Sequence, residues 1–131
     1  MKREAVNPVT WSLAFGFNQG EVVTGQSRTL YISGQTATSR DGRPEHDGDI
    51  AAQVELAMDN LEAVLVEAGM SLADLVRLNV YTTDVDALVS HYGRVAARLA
   101  AADVAPTTTM LGVCRLAIPG QLVEIEGTAA G

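Results

Sequence analysis

A long amphipathic stretch, residues 47–69, constrains the fold of this chain more than any other segment. Its apolar side chains recur at steps of three and four residues, which is the spacing of one face of a helix. They are Ile50, Val54, Ala57, Met58, Leu61, Val64, Leu65 and Ala68. Asp47 or Asp49 is suited to cap the first turn, and Gly69 can close the last turn in the left-handed conformation. Because each such side chain gains roughly 1.5 to 3 kcal/mol on burial, the helix must pack against an apolar surface.

Strand-like segments flank this helix on both sides, with alternating or β-branched residues. They are residues 21–24, 28–33, 75–83, 107–115 and 122–126. The first two are separated by a turn-like Gly25-Gln26-Ser27, so we expect them to form a hairpin. A second helical pattern follows Asp84. Its apolar positions are Leu88, Tyr92, Val95, Ala96 and Leu99. This order predicts an α+β fold, a mixed β-sheet with two helices packed on one face.

The other face of the predicted sheet carries polar and aromatic side chains. They include Tyr31, Ser33, Arg77, Asn79 and Tyr81. Such a face is too polar for a core and too large to stay bare, so we expect homo-oligomerisation through this face, with closed symmetry. Clefts between subunits are then candidate binding sites.

Composition excludes several classes of function. With 131 residues the chain fits a single domain, 1–131. Its net charge of −7 disfavours nucleic acid as a partner, because phosphate contacts need clustered Lys and Arg. No apolar run approaches the roughly 18 residues of a membrane span, which disfavours a membrane partner. His46 and His91 are isolated, so we expect no metal site.

The single cysteine and the N-terminus both favour the cytoplasm. Cys114 cannot form an internal disulfide, which fits a reducing compartment. Residues 1–10 lack the apolar stretch that a secretory signal needs. Because free cysteines are among the most buried residues, we expect Cys114 to be buried, although an exposed reactive thiol is the alternative.

Four segments, in this order and at this spacing, resemble the reactive intermediate deaminase (Rid) family, also called YjgF. They are Leu-Tyr-Ile-Ser-Gly-Gln at 30–35, Asp-Ile-Ala-Ala-Gln at 49–53, Asn-Val-Tyr-Thr-Thr-Asp at 79–84 and Val-Glu-Ile-Glu at 123–126. The resemblance covers nearly all of the chain from Phe17 onward. It implies a chorismate-mutase-like α+β fold and a homotrimer with three ligand clefts at the subunit interfaces. For the deaminating members it also implies hydrolysis of 2-imino acids to 2-oxo acids and ammonia, without a cofactor.

The resemblance also implies candidate site residues. Ser33 and Gly34 match residues that line the cleft, and Glu124 matches the acid that helps to hold the reacting water. Phe17 stands where the family often has a tyrosine, and Tyr92 stands where many members have an asparagine. Core packing is the alternative for Tyr92, because its helical spacing suits a core position. A plain solvated strand face is the alternative for Glu124.

The main departure from the family is at Thr108. In deaminating members an arginine follows a proline by two residues, in Pro-Ala-Arg-Ser, and a bidentate arginine suits the carboxylate of a 2-imino acid. Here the sequence reads Pro106-Thr107-Thr108-Thr109, so Thr108 takes the arginine's place. Arg115 matches a separate family arginine and, seven residues further on, would face the other side of the strand. Arg43, in a solvated loop, is a remaining alternative source of a cation.

Two classes of function fit this pattern. One is a hydrolase of an imine, an enamine or a related small molecule, with Glu124 orienting water and threonine hydroxyls binding a neutral ligand. The other is a trimeric module that binds a small metabolite without chemistry. A ribonuclease or translation inhibitor, as some family members are described, conflicts with the acidic charge. Chorismate mutase activity would need several cationic side chains for its dicarboxylate substrate.

We expect this protein not to accelerate the decay of 2-iminopropanoate, because Thr108 carries no charge to pair with the substrate carboxylate. The measurement generates 2-iminopropanoate or 2-iminobutanoate in place with an amino-acid oxidase and follows the imine with and without the protein. Clear acceleration would contradict the expectation and would make Arg43 the next residue to mutate.

Overall fold

Six strands and three α-helices make up the computed structural model, which describes residues 1–131. In chain order they are β1 (Lys2–Val6), β2 (Gly20–Thr24), β3 (Thr29–Gln35), α1 (Ile50–Glu67), β4 (Leu75–Thr82), α2 (Val85–His91), α3 (Gly93–Ala101), β5 (Thr107–Gly112) and β6 (Val123–Ala130). Two short 3-10 helices cover Trp11–Phe15 and Leu72–Asp74. No helix is both long and apolar enough to cross a membrane.

The central helix α1 is confirmed, with the end signals that its sequence predicts. The Asp49 carboxylate accepts the N–H of Ala52 at 3.1 Å, and Gly69 has a φ of +71° just beyond the helix. Its buried residues are Ile50, Gln53, Val54, Ala57, Met58, Leu61 and Leu65. The apolar members of this set belong to one core cluster of 18 residues between α1 and the sheet.

The main sheet is mixed, as predicted, and has the strand order β3-β6-β4-β5. Strands β4 and β5 are parallel, whereas β6 is antiparallel to both β3 and β4. Alternation along β6 assigns its two faces, since Val123 and Ile125 are fully buried in the core while Glu124 and Glu126 are half-buried on the opposite face. The helices therefore lie on one face, and β3 and β5 form the two edges.

The second predicted helix is in fact two, so the expectation of two helices is corrected to three. Helices α2 and α3 meet at Tyr92, whose N–H bonds the carbonyl of Val89 in a tight three-residue step. Gly93 follows, and glycine has a low helix propensity. The apolar spacing runs through the break unchanged, which is why it predicts one continuous helix.

The predicted hairpin between residues 21–24 and 28–33 is wrong. Strand β2 pairs with β1 in a separate two-stranded sheet, while β3 pairs with β6. The Arg3 guanidinium on β1 bonds the Glu21 carboxylate on β2 and also the carbonyls of Ala73 and of Leu75, the first residue of β4. The β1–β2 sheet is thereby tied to the main sheet by side-chain contacts that no local pattern reveals.

Two further positions differ from expectation. Gln53, on the predicted wet face of α1, is fully buried. Its amide donates to the carbonyls of His46 and Gly120 at 2.9 Å and accepts the N–H of Leu122 at 2.7 Å, which satisfies three backbone groups. Cys114 is exposed, because β5 ends at Gly112 and the chain has already left the sheet.

Candidate functional site

A cavity of about 500 Å³ lies beside the edge strand β5, under the junction of α2 and α3. Its lining comes from those elements and from the segment around the first 3-10 helix. The residues are Ala14, Phe15, Phe17, Val89, Tyr92, Gly93, Ala96, Thr108 and Met110. Three of the predicted site residues, Phe17, Tyr92 and Thr108, therefore share one cavity.

Aromatic packing positions the outer wall of this cavity. The Trp11 ring meets the rings of Phe15 and Phe17 edge-on, with centroids 6.2 and 5.9 Å apart. Gly16, with a φ of +83°, ends the 3-10 helix in the left-handed conformation and lets the chain reverse between the two phenylalanines. The wall is thus built from side chains that pack mainly on one another.

Two of the lining residues, Tyr92 and Thr108, carry a hydroxyl group. The Tyr92 hydroxyl makes no hydrogen bond within the chain, and burial raises the pKa of Tyr92, which keeps the phenol neutral. The Thr108 hydroxyl donates to the carbonyl of Pro106 at 2.9 Å, so it is left as an acceptor. Thr108 pairs with the buried Leu78 in the parallel register of β4 and β5, which turns its side chain to the helix side of the sheet.

The remaining predicted site residues form a second group, on the strand pair β3–β6. A β-bulge between Ile32 and Gln35 leaves Ser33 and Gly34 out of regular register. A Cβ atom added to Gly34 would lie 2.8 Å from the carboxyl carbon of Glu124, so only glycine leaves room for this carboxylate in its present position. The structure therefore brings Gly34 and Glu124 together, with Ser33 next to Gly34 in the bulge.

The two glutamates on this face of the sheet, Glu124 and Glu126, differ in their hydrogen bonding. Glu126 accepts hydrogen bonds from the Asn79 amide at 3.2 Å and from the Tyr81 hydroxyl at 2.6 Å. Glu124 takes part in no hydrogen bond or ion pair of the chain. Sequence reasoning missed the role of Asn79 and Tyr81, because their contact with Glu126 follows from the strand order β6-β4, which local patterns do not give.

The two groups lie on opposite faces of the sheet within one chain. Glu124 is on the polar face, whereas the cavity with Thr108 is on the helix face. Arg43 and Arg115 are exposed and do not line the cavity, so within one chain neither takes the place of the arginine expected at Thr108. No three His, Cys, Asp or Glu side chains lie close enough together to hold a metal ion. Within one chain, the two groups therefore do not form a single site.

Known proteins match the chain over nearly its whole length. The family model described as Endoribonuclease L-PSP matches residues 13–131. The chain is 32% identical over 130 residues to the mitochondrial protein mmf2 of Schizosaccharomyces pombe, with 99% of each chain covered. Among solved structures, the Rid family protein YyfB of Yersinia pestis aligns over 100% of both chains with a TM-score of 0.86 and 36% identity. RidA from an Antarctic Psychrobacter aligns over 88% of each chain with a TM-score of 0.71 and 30% identity.

The family model includes both groups of candidate site residues, since all of them lie between residues 13 and 131. The α+β architecture with three helices and a mixed sheet agrees with that of the solved relatives. Because one relative is mitochondrial, a cytoplasmic location for this chain stays a prediction.

The contact between Tyr81 and Glu126 gives a titration that can be tested. This hydrogen bond, together with desolvation and the charge of Glu126, raises the pKa of Tyr81 above its ordinary value of 10.0. We expect Glu126→Gln to lower the pKa of Tyr81, because an uncharged amide is a weaker acceptor than a carboxylate. Ultraviolet titration of tyrosinate measures the shift, and Tyr81→Phe identifies which step belongs to this residue.

The same shift fixes the sign of the pH effect on stability. A phenol whose folded pKa is raised stabilises the fold below its unfolded pKa, and that contribution is lost as pH rises above about 10. We therefore expect Glu126→Gln to lose less stability over that rise than the parent protein does. An unchanged tyrosinate titration in Glu126→Gln would contradict the assignment.

Proposed function

The chain belongs to the Rid/YjgF family, and on that premise we propose that it is a cofactor-independent hydrolase of a small imine or enamine. Water adds to the C=N carbon of the imine, and the resulting carbinolamine breaks its C–N bond to give a carbonyl compound and ammonia. An enamine first gains a proton on carbon and then follows the same route. This chemistry needs a group that orients water and a pocket that holds the organic part.

The free carboxylate of Glu124 is the observation that carries the proposal. Glu126 is held in place by two hydrogen bonds from Asn79 and Tyr81, both to its Oε1. Glu124 stands two residues away on the same strand face with no partner, and Gly34 leaves its position open. We assign Glu124 the role of accepting a hydrogen bond from the attacking water and taking its proton as the C–O bond forms.

We propose that the working site forms between copies of the chain in a cyclic homotrimer. The cavity lies at the β5 edge of the sheet, and Gly34 and Glu124 lie near the β3 edge. A head-to-tail interface that closes into a ring would place one edge beside the other in every pair of neighbours. Exposed apolar side chains near the β5 edge favour such a contact. They are Phe15, Val89 and Leu111.

A binding module without chemistry is the second candidate. The apolar cavity is lined within a single chain and contains neither a carboxylate nor a histidine, so it has the character of a binding pocket by itself. In this case the small-molecule ligand is a partner rather than a substrate.

We do not propose ribonuclease activity, although the family model is described as an endoribonuclease. RNA binding depends on clustered cations, and the net charge of the chain is −7. Arg3 and Arg98 are also occupied, Arg3 by Glu21 and Arg98 by carboxylates of α1. A surface of this kind favours a small-molecule partner over nucleic acid, and we propose no membrane partner either.

Replacing Glu124 by glutamine should lower the rate of imine hydrolysis by at least about 100-fold, because a general base typically contributes that much or more. The probe is 2-phenylethanimine, a neutral imine that an amine oxidase generates in place from 2-phenylethylamine, and its decay is followed with and without protein. Glu126→Gln is the matched control and should retain most of the rate, since its carboxylate is already hydrogen-bonded. Equal losses in both variants would remove the special role of Glu124. No acceleration by the parent protein would favour the binding module.

Mixing two inactive variants should restore activity if the site is shared between copies. Glu124→Gln keeps the cavity, whereas Ala96→Phe fills it and keeps Glu124. After the two are unfolded and refolded together, about a quarter of the clefts in a cyclic assembly would combine an intact cavity with an intact Glu124. Each variant refolded alone is the control. A mixture as inactive as its components, with subunit exchange confirmed by mass, would contradict a shared site.

A further inference from the structure

We infer that the cavity lined by Phe17, Tyr92 and Thr108 selects a neutral ligand with a compact apolar or aromatic group and discriminates against carboxylates. The inference deepens the proposed function by naming the class of its substrate. It rests on that function only in calling the ligand a substrate. The selectivity itself follows from the lining.

No residue that lines the cavity carries a charge. Seven of the nine lining residues are hydrophobic, and the other two are Gly93 and Thr108. The nearest cations in sequence, Arg94 and Arg98 on α3, are held by carboxylates of α1. Arg94 lies 3.5 Å from Glu55, and Arg98 bonds Asp59 at 2.6 Å. The positive charges of this helix are thus turned away and neutralised.

Desolvation then decides between a neutral ligand and an anion. A carboxylate that enters an apolar cavity loses its hydration, and without a cation this loss is not compensated. An amide, an imine or an aromatic ring has a much smaller cost of desolvation. A volume of about 500 Å³ leaves room for a ring, which the edges and faces of Phe15, Phe17 and Tyr92 can contact.

The two hydroxyls determine which polar groups the rest of the ligand can carry. The Tyr92 hydroxyl is without a partner and can donate to a carbonyl oxygen or an imine nitrogen. The Thr108 hydroxyl donates its hydrogen bond to the carbonyl of Pro106, so toward a ligand it acts as an acceptor, for example from an N–H group. One free donor and one acceptor in an apolar cavity suit the C=N–H or amide end of a neutral molecule.

Trp11 provides a direct reporter for binding. It is the only tryptophan of the chain, and it packs on Phe15 and Phe17, which line the cavity. The experiment titrates the full-length protein with phenylacetamide and with phenylacetate and follows tryptophan fluorescence. The two probes share a ring and a length and differ in charge. We expect saturable binding of phenylacetamide and at least about tenfold weaker binding of phenylacetate, which corresponds to about 1.4 kcal/mol.

Three variants test where the probe binds and why. Thr108→Arg should reverse the preference at least about tenfold, because its guanidinium can pair with the carboxylate. Ala96→Phe should abolish binding of phenylacetamide by filling the cavity. Ala97→Phe, on the next and exposed position of the same helix, is the matched control and should bind like the parent protein.

The results of these titrations either support or overturn the inference. Equal affinities for the amide and the carboxylate, or no fluorescence response to phenylacetamide in the folded protein, would overturn it. So would equal binding by Ala96→Phe and Ala97→Phe, since the probe would then lie elsewhere. Selective binding without any turnover of 2-phenylethanimine would overturn the hydrolase and leave the selectivity standing.

Discussion

Burial of the apolar face of α1 against one face of the sheet is the constraint on which the rest of the molecule depends. It places Leu78 and Val80 of β4 and Val123 and Ile125 of β6 toward the helix. Because strand side chains alternate, the same packing forces their neighbours to the opposite face. Glu124 therefore lies on the polar face because its neighbours on β6 pack in the core. Strand β6 is two strands away from β5, the strand beside the cavity.

The sequence predicts the parts of the fold that repeat over several residues. The α1 stripe, the alternation of β4 and the α+β order are periodic signals, and the structure confirms them. The break at Tyr92, the pairing of β1 with β2 and the burial of Gln53 are set by single contacts between distant segments, which no local pattern contains. The same holds for the candidate site. The family resemblance identifies Glu124 and Thr108 one by one, but their placement on opposite faces of the sheet depends on how the strands pair.

The half-buried acidic residues of the chain hold structure through their partners, with Glu124 as the exception. Arg98 gathers the carboxylates of Glu55, Asp59 and Glu62 and joins α3 to α1, and Arg3 bonds Glu21. Glu126 is held by Asn79 and Tyr81. Against this background a half-buried carboxylate with no partner is unusual, because burial without compensation costs free energy. That cost is what makes Glu124 informative about function.

The aromatic wall of the cavity has a consequence for how this protein can change over time. Trp11, Phe15 and Phe17 pack on one another at the periphery, outside the core cluster between α1 and the sheet. Mutations there can alter the shape of the pocket while the residues that drive folding stay untouched. The scaffold can thus acquire a new ligand preference by drift at its margin, with little penalty in stability for each trial.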